Sequence, residues 1–334
     1  MIWILIFITS FFLLFWSGSR VVEGLMKIAK YLGWREFVVA FFVMAFAGTL
    51  PNLFVGISSA LKGIPELSFG EIVGGNVVDM TLAVGLALLI GGKAFPVRSK
   101  MVQTSTVYTA IIAVLPLLLI LDGDLARGDG VILLLAFVLY IYWLFSKEER
   151  FRKVYNVDDK KKKQRNIWRF IIERNEPKNA RQFKSFLKNL RETFASLFVL
   201  IFASWGIVQS VQAFSEILSV GLPIIGILVV GLGNALPETY FAIVSARKGR
   251  TWLILGNLMG SVIVCATLVL GIVVLIHPIV NIDFSPFAIA RIFLVISAVF
   301  FLVAVRTDKR ISKKEAILLI AIYLAFLLSE IYFR

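Results

Sequence analysis

Cysteine and histidine are almost missing from this chain of 334 residues, which has one of each, Cys265 and His277. A lone cysteine excludes an internal disulfide framework and a Cys-based zinc site, and a lone histidine excludes a His-rich metal centre. Charge is scarce as well, at 17% of residues, and acids are scarcer than bases: 21 Asp and Glu against 35 Lys and Arg, for a net charge of +14. Apolar residues make up 59% of the chain and the mean hydropathy is +0.88. That is the composition of a polytopic membrane protein, not of a soluble core. Nor does the positive excess form a nucleic-acid surface, because it is concentrated. Between Lys147 and Arg191 lie 16 Lys and Arg against 6 Asp and Glu. A basic loop beside membrane helices sets orientation and meets anionic lipid, so lipid and not nucleic acid is the expected partner.

Apolar runs long enough to span a bilayer fall at about 2–18, 37–61, 70–92, 102–121, 130–146, 194–218, 222–246, 252–276, 286–305 and 315–332. They predict an all-α membrane protein of about ten helices. The run from Ile2 to Trp16 has no basic segment before it and no small-residue cleavage site after it, and reads as a retained helix. The intervening loops alternate between basic and base-poor. By the positive-inside rule the basic set is cytoplasmic, which puts both termini outside and the 147–193 loop inside. Within that loop, "DDKKKKQR" reads as solvated, and "RQFKSFLKNLRETF" as amphipathic.

The two halves repeat each other. A shift of 186 residues needs no gap from Val43 to Ile90: Leu50-Pro51 falls on Leu236-Pro237, Gly70 on Gly256, Gly74 on Gly260 and Gly85 on Gly271. One copy starts inside and the other outside, so the topology is inverted: two five-helix repeats, 1–146 and 194–334, separated by the 147–193 loop. Inverted repeats with interrupted helices in matched positions point to a secondary transporter whose site lies at the midplane.

Pro51 and Pro237 lack the amide hydrogen that would pair with the carbonyls of Ala47 and Gly233. In lipid such a carbonyl needs another partner, and a cation is one. Polar side chains stand around both breaks, Thr49 and Asn52 in the first copy, Asn234 and Glu238 in the second. The following helices read "GEIVGGNVVDMT" and "GNLMGSVIVCAT". Their glycines, four apart, allow close helix approach, bringing Asp79 towards Glu238 with Ser261 nearby. Carboxylates, amides, hydroxyls and freed carbonyls make an all-oxygen site suited to hard cations such as Na⁺, Ca²⁺ or Mg²⁺. Asn76 reads as interhelical glue, Thr81 and Thr267 as packing residues, Cys265 as a small apolar filler, and His277 as interfacial. Glu66 and Glu71 are expected at the outer mouth, solvated or in a vestibule.

These motifs resemble a known family. "GNALPETYFAIVSARKG" followed by "LGNLMGSVIVC" looks like the second alpha-repeat (about 226–276) of the sodium/calcium exchangers, in the cation/calcium exchanger superfamily. "AGTLPN" with "FGEIVGGNVVD" looks like the first (about 40–92). The resemblance implies ion ligands at Asn52 and Glu238, at Asp79 and Cys265, at Thr49 but not its mate Ala235, and at Ser261 but not Gly75. Where the family carries a glutamate this chain has Asn52, and where it carries an acid or amide this chain has Cys265, so it resembles an atypical, prokaryotic-type member with substituted ligands. The expected function is a secondary active cation antiporter, Ca²⁺ against Na⁺. Ca²⁺/H⁺ exchange and a transport-inactive cation-binding sensor or scaffold remain as alternatives. An intramembrane aspartyl protease would need two catalytic aspartates at matched depth, and here one aspartate meets one glutamate. No enzyme activity and no cofactor beyond the transported ions are expected, and the assembly is expected to be a monomer or weak oligomer.

Overall fold

The computed structural model describes residues 2–32, 46, 48–91, 95–97, 100–146, 180–247, 251–282, 285–307 and 310–332. Ala47, most of the 147–193 loop and the first part of the expected 37–61 span lie outside them. Helix α1 runs Ile2–Tyr31 and α2 runs Leu50–Leu61. Helix α3 comprises Pro65–Val78, a wide π-helical turn at Asp79–Ala83, and Val84–Gly91. Helices α4 (Lys100–Leu119) and α5 (Arg127–Ser146) complete the first half. The second half begins with α6, Ala180–Leu218. Helix α7, Leu222–Arg247, contains a π-turn at Gly226–Val230 and a break at Ala235. Helix α8 comprises Thr251–Val264, a π-turn at Cys265–Val269, and Leu270–Ile276; α9 is Ala288–Arg306 and α10 is Lys313–Tyr332. Among the described residues, nine stretches are long and apolar enough to cross a membrane, with α2 as a shorter apolar helix.

The 186-residue shift carries over to the elements themselves. It takes Leu50–Leu61 onto Leu236–Arg247, Pro65–Val78 onto Thr251–Val264, Asp79–Ala83 onto Cys265–Val269, and Arg127–Ser146 onto Lys313–Tyr332. The packing repeats with them. Gly85 lies against Ala316 and Ile320 of α10, and Gly271 against Gly130 and Leu134 of α5, which are matched positions under the same shift. Short strand contacts tie loops together at two places, β1 (Phe95–Pro96) with β2 (Arg310–Ile311), and Leu125 with Ile279.

Two helix starts differ from the hydropathy reading. Helix α3 begins at Pro65, where the proline's missing N–H costs nothing, five residues before the apolar run. Gly63 makes this entry possible with a φ of 72° in the turn after α2. Helix α6 begins at Ala180, so the amphipathic end of the basic loop continues straight into the sixth span.

Helices α3 and α7 approach backbone to backbone. A Cβ at Gly70 would lie 2.6 Å from the Pro223 carbonyl oxygen, one at Gly226 would lie 2.6 Å from that of Leu67, and Gly74 abuts Ile227. This is small-residue packing between membrane helices, where dispersion at close range replaces the hydrophobic effect as the driving force. Helices α1 and α6 pair along their length, from Phe7 against Phe214 to Tyr31 stacked on Phe186 at 4.4 Å. Their apolar side, including Leu14, Val21, Leu200 and Ile207, packs on Leu50, Val55, Leu67 and Val230 as a cluster separate from the main core. The main core lies among α3, α4, α7, α8, α9 and α10, around Phe69 and Phe287. Buried hydroxyls mostly bond back to a carbonyl one turn earlier: Thr81 to Val77, Thr267 to Ile263, Thr106 to Val102. That satisfies them within the helix, as lipid requires.

Candidate ion-binding site

The site is built where the two matched breaks and the two matched π-turns converge. At the breaks, Thr49 (φ −86°, ψ 0°) and Ala235 (φ −81°, ψ −7°) sit in the bridge region just ahead of Pro51 and Pro237. The prolines cannot extend the ladder backwards, so each helix restarts, with Leu53 bonding to the Thr49 carbonyl and Thr239 to that of Ala235. The π-turns open at Asp79 and at Cys265. Such turns widen the helix by one residue and recur at functional sites.

Glu238, 4% exposed, follows the second break and reaches across to the first, where a Cβ on Gly48 would lie 3.7 Å from its Oε1. Asp79, 3% exposed, faces Glu238 closely enough for their charges to interact, and accepts a hydrogen bond from Ser261. On the other side of the pseudo-two-fold axis, Asn52 Nδ2 donates to Cys265 Sγ at 3.2 Å. Asn52 is the mate of Glu238 and Cys265 the mate of Asp79, so one contact is the symmetry image of the other. Cys265 is therefore more than the apolar filler expected of it, because it accepts the Asn52 amide and lies in the field of Asp79, Glu238 and Glu71. Asn234 donates to Glu71 Oε1. Thr49 Oγ1 bonds to the Phe46 carbonyl at 2.9 Å. The Phe11 ring of α1 lies against Gly233.

Six side-chain oxygens in this region are buried without a hydrogen-bond partner: Asn52 Oδ1, Glu71 Oε2, Asp79 Oδ1, Asn234 Oδ1 and both oxygens of Glu238. A buried unpaired polar group costs about 1–3 kcal/mol, and a charged one more. Such a concentration of unpaired acceptors is chemically suited to a cation. Among the described residues no three His, Cys, Asp or Glu side chains converge as in a resident metal centre. Two carboxylates diluted by amides and hydroxyls suit an ion that must also leave.

A family model described as sodium/calcium exchanger protein matches residues 2–146 and 193–332. The chain belongs to that family. Among its relatives, the inner membrane protein YrbG of Escherichia coli is 24% identical over 323 residues, covering 96% of this chain and 94% of its own. The sodium/calcium exchanger MaX1 of Methanosarcina acetivorans is 25% identical over 358 aligned residues, covering 95% of each. The putative antiporter CaxA of Alkalimonas amylolytica is 25% identical, covering 80% of this chain and 78% of its own. Structures of the sodium-calcium exchanger NCX_Mj share the fold, with a TM-score of 0.65 at 20% identity over 98% of both chains in one of them. The chain is thus a multi-pass membrane protein of a cation antiporter family, a transporter and not an enzyme, and its cargo ions take the place of cofactors.

Of the expected ligands, this chain brings together Asp79, Glu238, Ser261, Asn52, Asn234 and Thr49 around the breaks, with the Gly233 backbone beside them; Ala47 lies outside the described residues. Two further expectations are corrected. Glu71 is not at a solvated mouth. It is 1% exposed and bonded to Asn234, because α3 starts at Pro65 and Glu71 therefore lies about 9 Å inside the helix. Asn76 was expected to bridge helices, yet its Nδ2 is buried and unpaired. A sequence signal for Glu71 did exist: positions 71, 75 and 79 are four apart and share one helix face.

Proposed function

We propose that this chain exchanges Ca²⁺ for Na⁺ across the membrane by alternating access, with both ions competing for one region. Asp79 and Glu238 supply the charge. Asn52, Thr49, Ser261, Asn234 and the carbonyls of Ala47 and Gly233 complete an oxygen shell. The observation that carries the reading is the cluster of unpaired buried oxygens between acids drawn from opposite repeats. Two carboxylates balance one Ca²⁺ or two Na⁺, and Ca²⁺ takes six to eight oxygens. An empty site leaves two facing carboxylates uncompensated in low dielectric, so crossing empty is costly and exchange is obligatory. The pair of ions follows that of the relative MaX1, a sodium/calcium exchanger. Ca²⁺/H⁺ exchange is the second reading, favoured by the face-to-face Asp79–Glu238 pair, where a proton relieves the repulsion as a metal ion does.

The moving part in this reading is the α1–α6 pair, which packs on the rest through its own apolar cluster. Phe11 against Gly233 and Gly18 against Pro51 place α1 across both breaks, so its displacement uncovers one or the other. The two repeats are 1–146 and 194–334, the basic loop faces the cytoplasm and anionic lipid, both termini face out, and the chain works as a monomer or weak oligomer.

The test is radioactive Ca²⁺ uptake into proteoliposomes under an outward Na⁺ gradient, an outward H⁺ gradient, or neither. Uptake driven by Na⁺, and abolished by Asp79→Asn and by Glu238→Gln in folded protein, is expected. Uptake driven only by H⁺ replaces Na⁺ with the proton. Absence of uptake from folded wild type turns the reading to a non-transporting sensor, and normal rates in either variant remove the site assignment.

A further inference from the structure

The α1–α6 pair meets the rest of the protein at two interfaces that the pseudo-two-fold axis exchanges, α6 with α2 and α1 with α7. Their registers match. Under the 186-residue shift, Phe11 against Gly233 falls on positions 197 and 47, and Gln212 with Lys62 lies 15 residues farther along each of those two segments. The polar chemistry does not match. Between α2 and α6, Ser58 Oγ lies 3.1 Å from Ser204 Oγ. One turn on, Lys62 Nζ donates to Gln212 Oε1 at 3.0 Å while lying 5.5 Å from the centre of the Trp205 ring. Ser204 gives its own proton to the Ile201 carbonyl, so Ser58 is the donor in the hydroxyl pair. Between α1 and α7 the shift puts Val244 and Gly18 in place of the serines, Ser19 in place of Trp205, and Lys248 with Met26 in place of Lys62 with Gln212. Valine and glycine side chains form no hydrogen bond, and a thioether is a weak acceptor.

The links sit at a depth where they hold and can still break. Pro51 lies at the level of the site, and Lys62 follows it by 11 residues, about 16 Å along α2 and so at the edge of the hydrocarbon. From there an ammonium can reach water on its own stem. Gln212 and Trp205 hold it against α6 instead. Ser58 lies one turn deeper, where little water competes for its hydroxyl.

We propose that Ser58 and Lys62 of α2, with Ser204 and Gln212 of α6, form a one-sided latch that holds the α1–α6 pair in the position seen here and so sets the resting ratio between the two faces of the transporter. It rests on the alternating-access reading above for the existence of a second position. When the two repeats exchange conformations, the spacing that α6 keeps from α2 in one conformer becomes the spacing that α1 keeps from α7 in the other. The latch bonds belong to the first conformer, and the residues of the matched interface cannot replace them in the second. Lys62 and Gln212 are positioning residues. They touch no ion, and they act on affinity only through the fraction of protein that presents each face.

Spin labels on Ile217→Cys at the end of α6 and on Val131→Cys of α5, both exposed positions, report where α6 sits through their distance distribution in a Cys265→Ala background. With the latch intact, one distance is expected to dominate. Lys62→Met, Gln212→Leu and Ser58→Ala should each raise a second distance, and Lys62→Met with Ser58→Ala together should raise its share relative to the first about tenfold. Exchanging the partners, Lys62→Gln with Gln212→Lys, rebuilds the bond in reverse and should restore most of the dominant distance. In proteoliposomes the same variants should move half-saturating Ca²⁺ in opposite directions on the two sides of the membrane, since the face that gains population gains apparent affinity. Three results overturn the latch: a lower melting temperature with unchanged distances, a single distance in every variant, or half-saturating Ca²⁺ that moves the same way on both sides. Distances that shift as expected in protein that exchanges no Ca²⁺ keep the latch and remove the transport reading instead.

Discussion

Replacing Gly231 with alanine tests whether close contact of α3 and α7 is what aligns the site. A Cβ there would lie 2.8 Å from the Glu71 carbonyl oxygen and 2.8 Å from the Gly75 amide nitrogen. Both atoms are α3 backbone, so no rotamer change relieves the clash. Ordinary contact begins near 3.4 Å, and the two helices would have to part by about 0.6 Å. Overpacking of this kind costs about 1–3 kcal/mol. The effect on the ion is sharper, because Ca²⁺–oxygen distances occupy a window only about 0.3 Å wide, from 2.3 to 2.6 Å. A displacement of about twice that width pulls ligands of the two helices out of a common shell. The Gly231→Ala protein should therefore melt at lower temperature and need at least about tenfold more Ca²⁺ for half-maximal uptake, since about 1.4 kcal/mol of lost binding is tenfold. Gly75→Ala is the control: it faces the same helix, but its Cβ would sit at an ordinary 3.5 Å from the Gly231 oxygen, and it should change the half-saturating Ca²⁺ little. Wild-type melting and Ca²⁺ dependence in Gly231→Ala, or equal damage from both substitutions, would refute the reasoning.

Cys265 is the chain's one thiol and is 2% exposed beside the acids. A small membrane-permeant maleimide should label it slowly, and saturating Ca²⁺ should slow labelling further, in proportion to the protein left unbound; rapid labelling that ignores Ca²⁺ contradicts an occluded site. Lys62 Nζ donates to Gln212 Oε1 at 3.0 Å and lies over the Trp205 ring, joining the end of α2 to α6. Lys62→Met should lose on the order of 1 kcal/mol, and a double-mutant cycle with Gln212→Ala in thermal unfolding should show the two effects overlapping instead of adding. Gly233→Ala would drive its methyl into the far end of the Phe11 ring and slow uptake. Phe11→Ala in the same protein should restore part of it, and a double variant no faster than Gly233→Ala alone would place the obstruction elsewhere.

The fold was readable because lipid imposes simple rules on sequence. Long apolar runs, alternating basic loops, and prolines and glycines at one constant shift are each direct consequences of a helix having to satisfy its own backbone in hydrocarbon. What failed did so at boundaries. The third span was read from Gly70, where the apolar run starts, but the helix starts at Pro65, and those five residues turned Glu71 from a mouth residue into a buried one. The sixth span was read from residue 194, but the amphipathic segment before it extends the same helix back to Ala180. The π-turns at Asp79 and Cys265 left no mark in hydropathy, since a widened turn depends on packing with neighbours and not on composition. The bond between Asn52 and Cys265 was hidden for a related reason: the repeat alignment pairs each residue with its symmetry mate, whereas the contact joins residues from the two different motifs.

That crossed pairing explains how a symmetric backbone holds an asymmetric site. The pseudo-two-fold axis exchanges Asn52 with Glu238 and Asp79 with Cys265. It therefore exchanges a neutral contact, amide to thiol, with a contact between two acids. Backbone breaks and π-turns occur on both sides of the axis, but the negative charge of the centre lies on one side only. In the proposed cycle the inward- and outward-facing forms are related by exchanging the conformations of the two repeats, which requires the backbone to be symmetric. It does not require the ligands to be. In that cycle the ion meets the same proposed ligands, Asp79 and Glu238, from either side of the membrane, while the Asn52–Cys265 pair opposite them needs no counter-ion. Substituting two of the four ligand positions by neutral residues is thus compatible with alternating access, because the motion belongs to the repeats and the charge to the cargo.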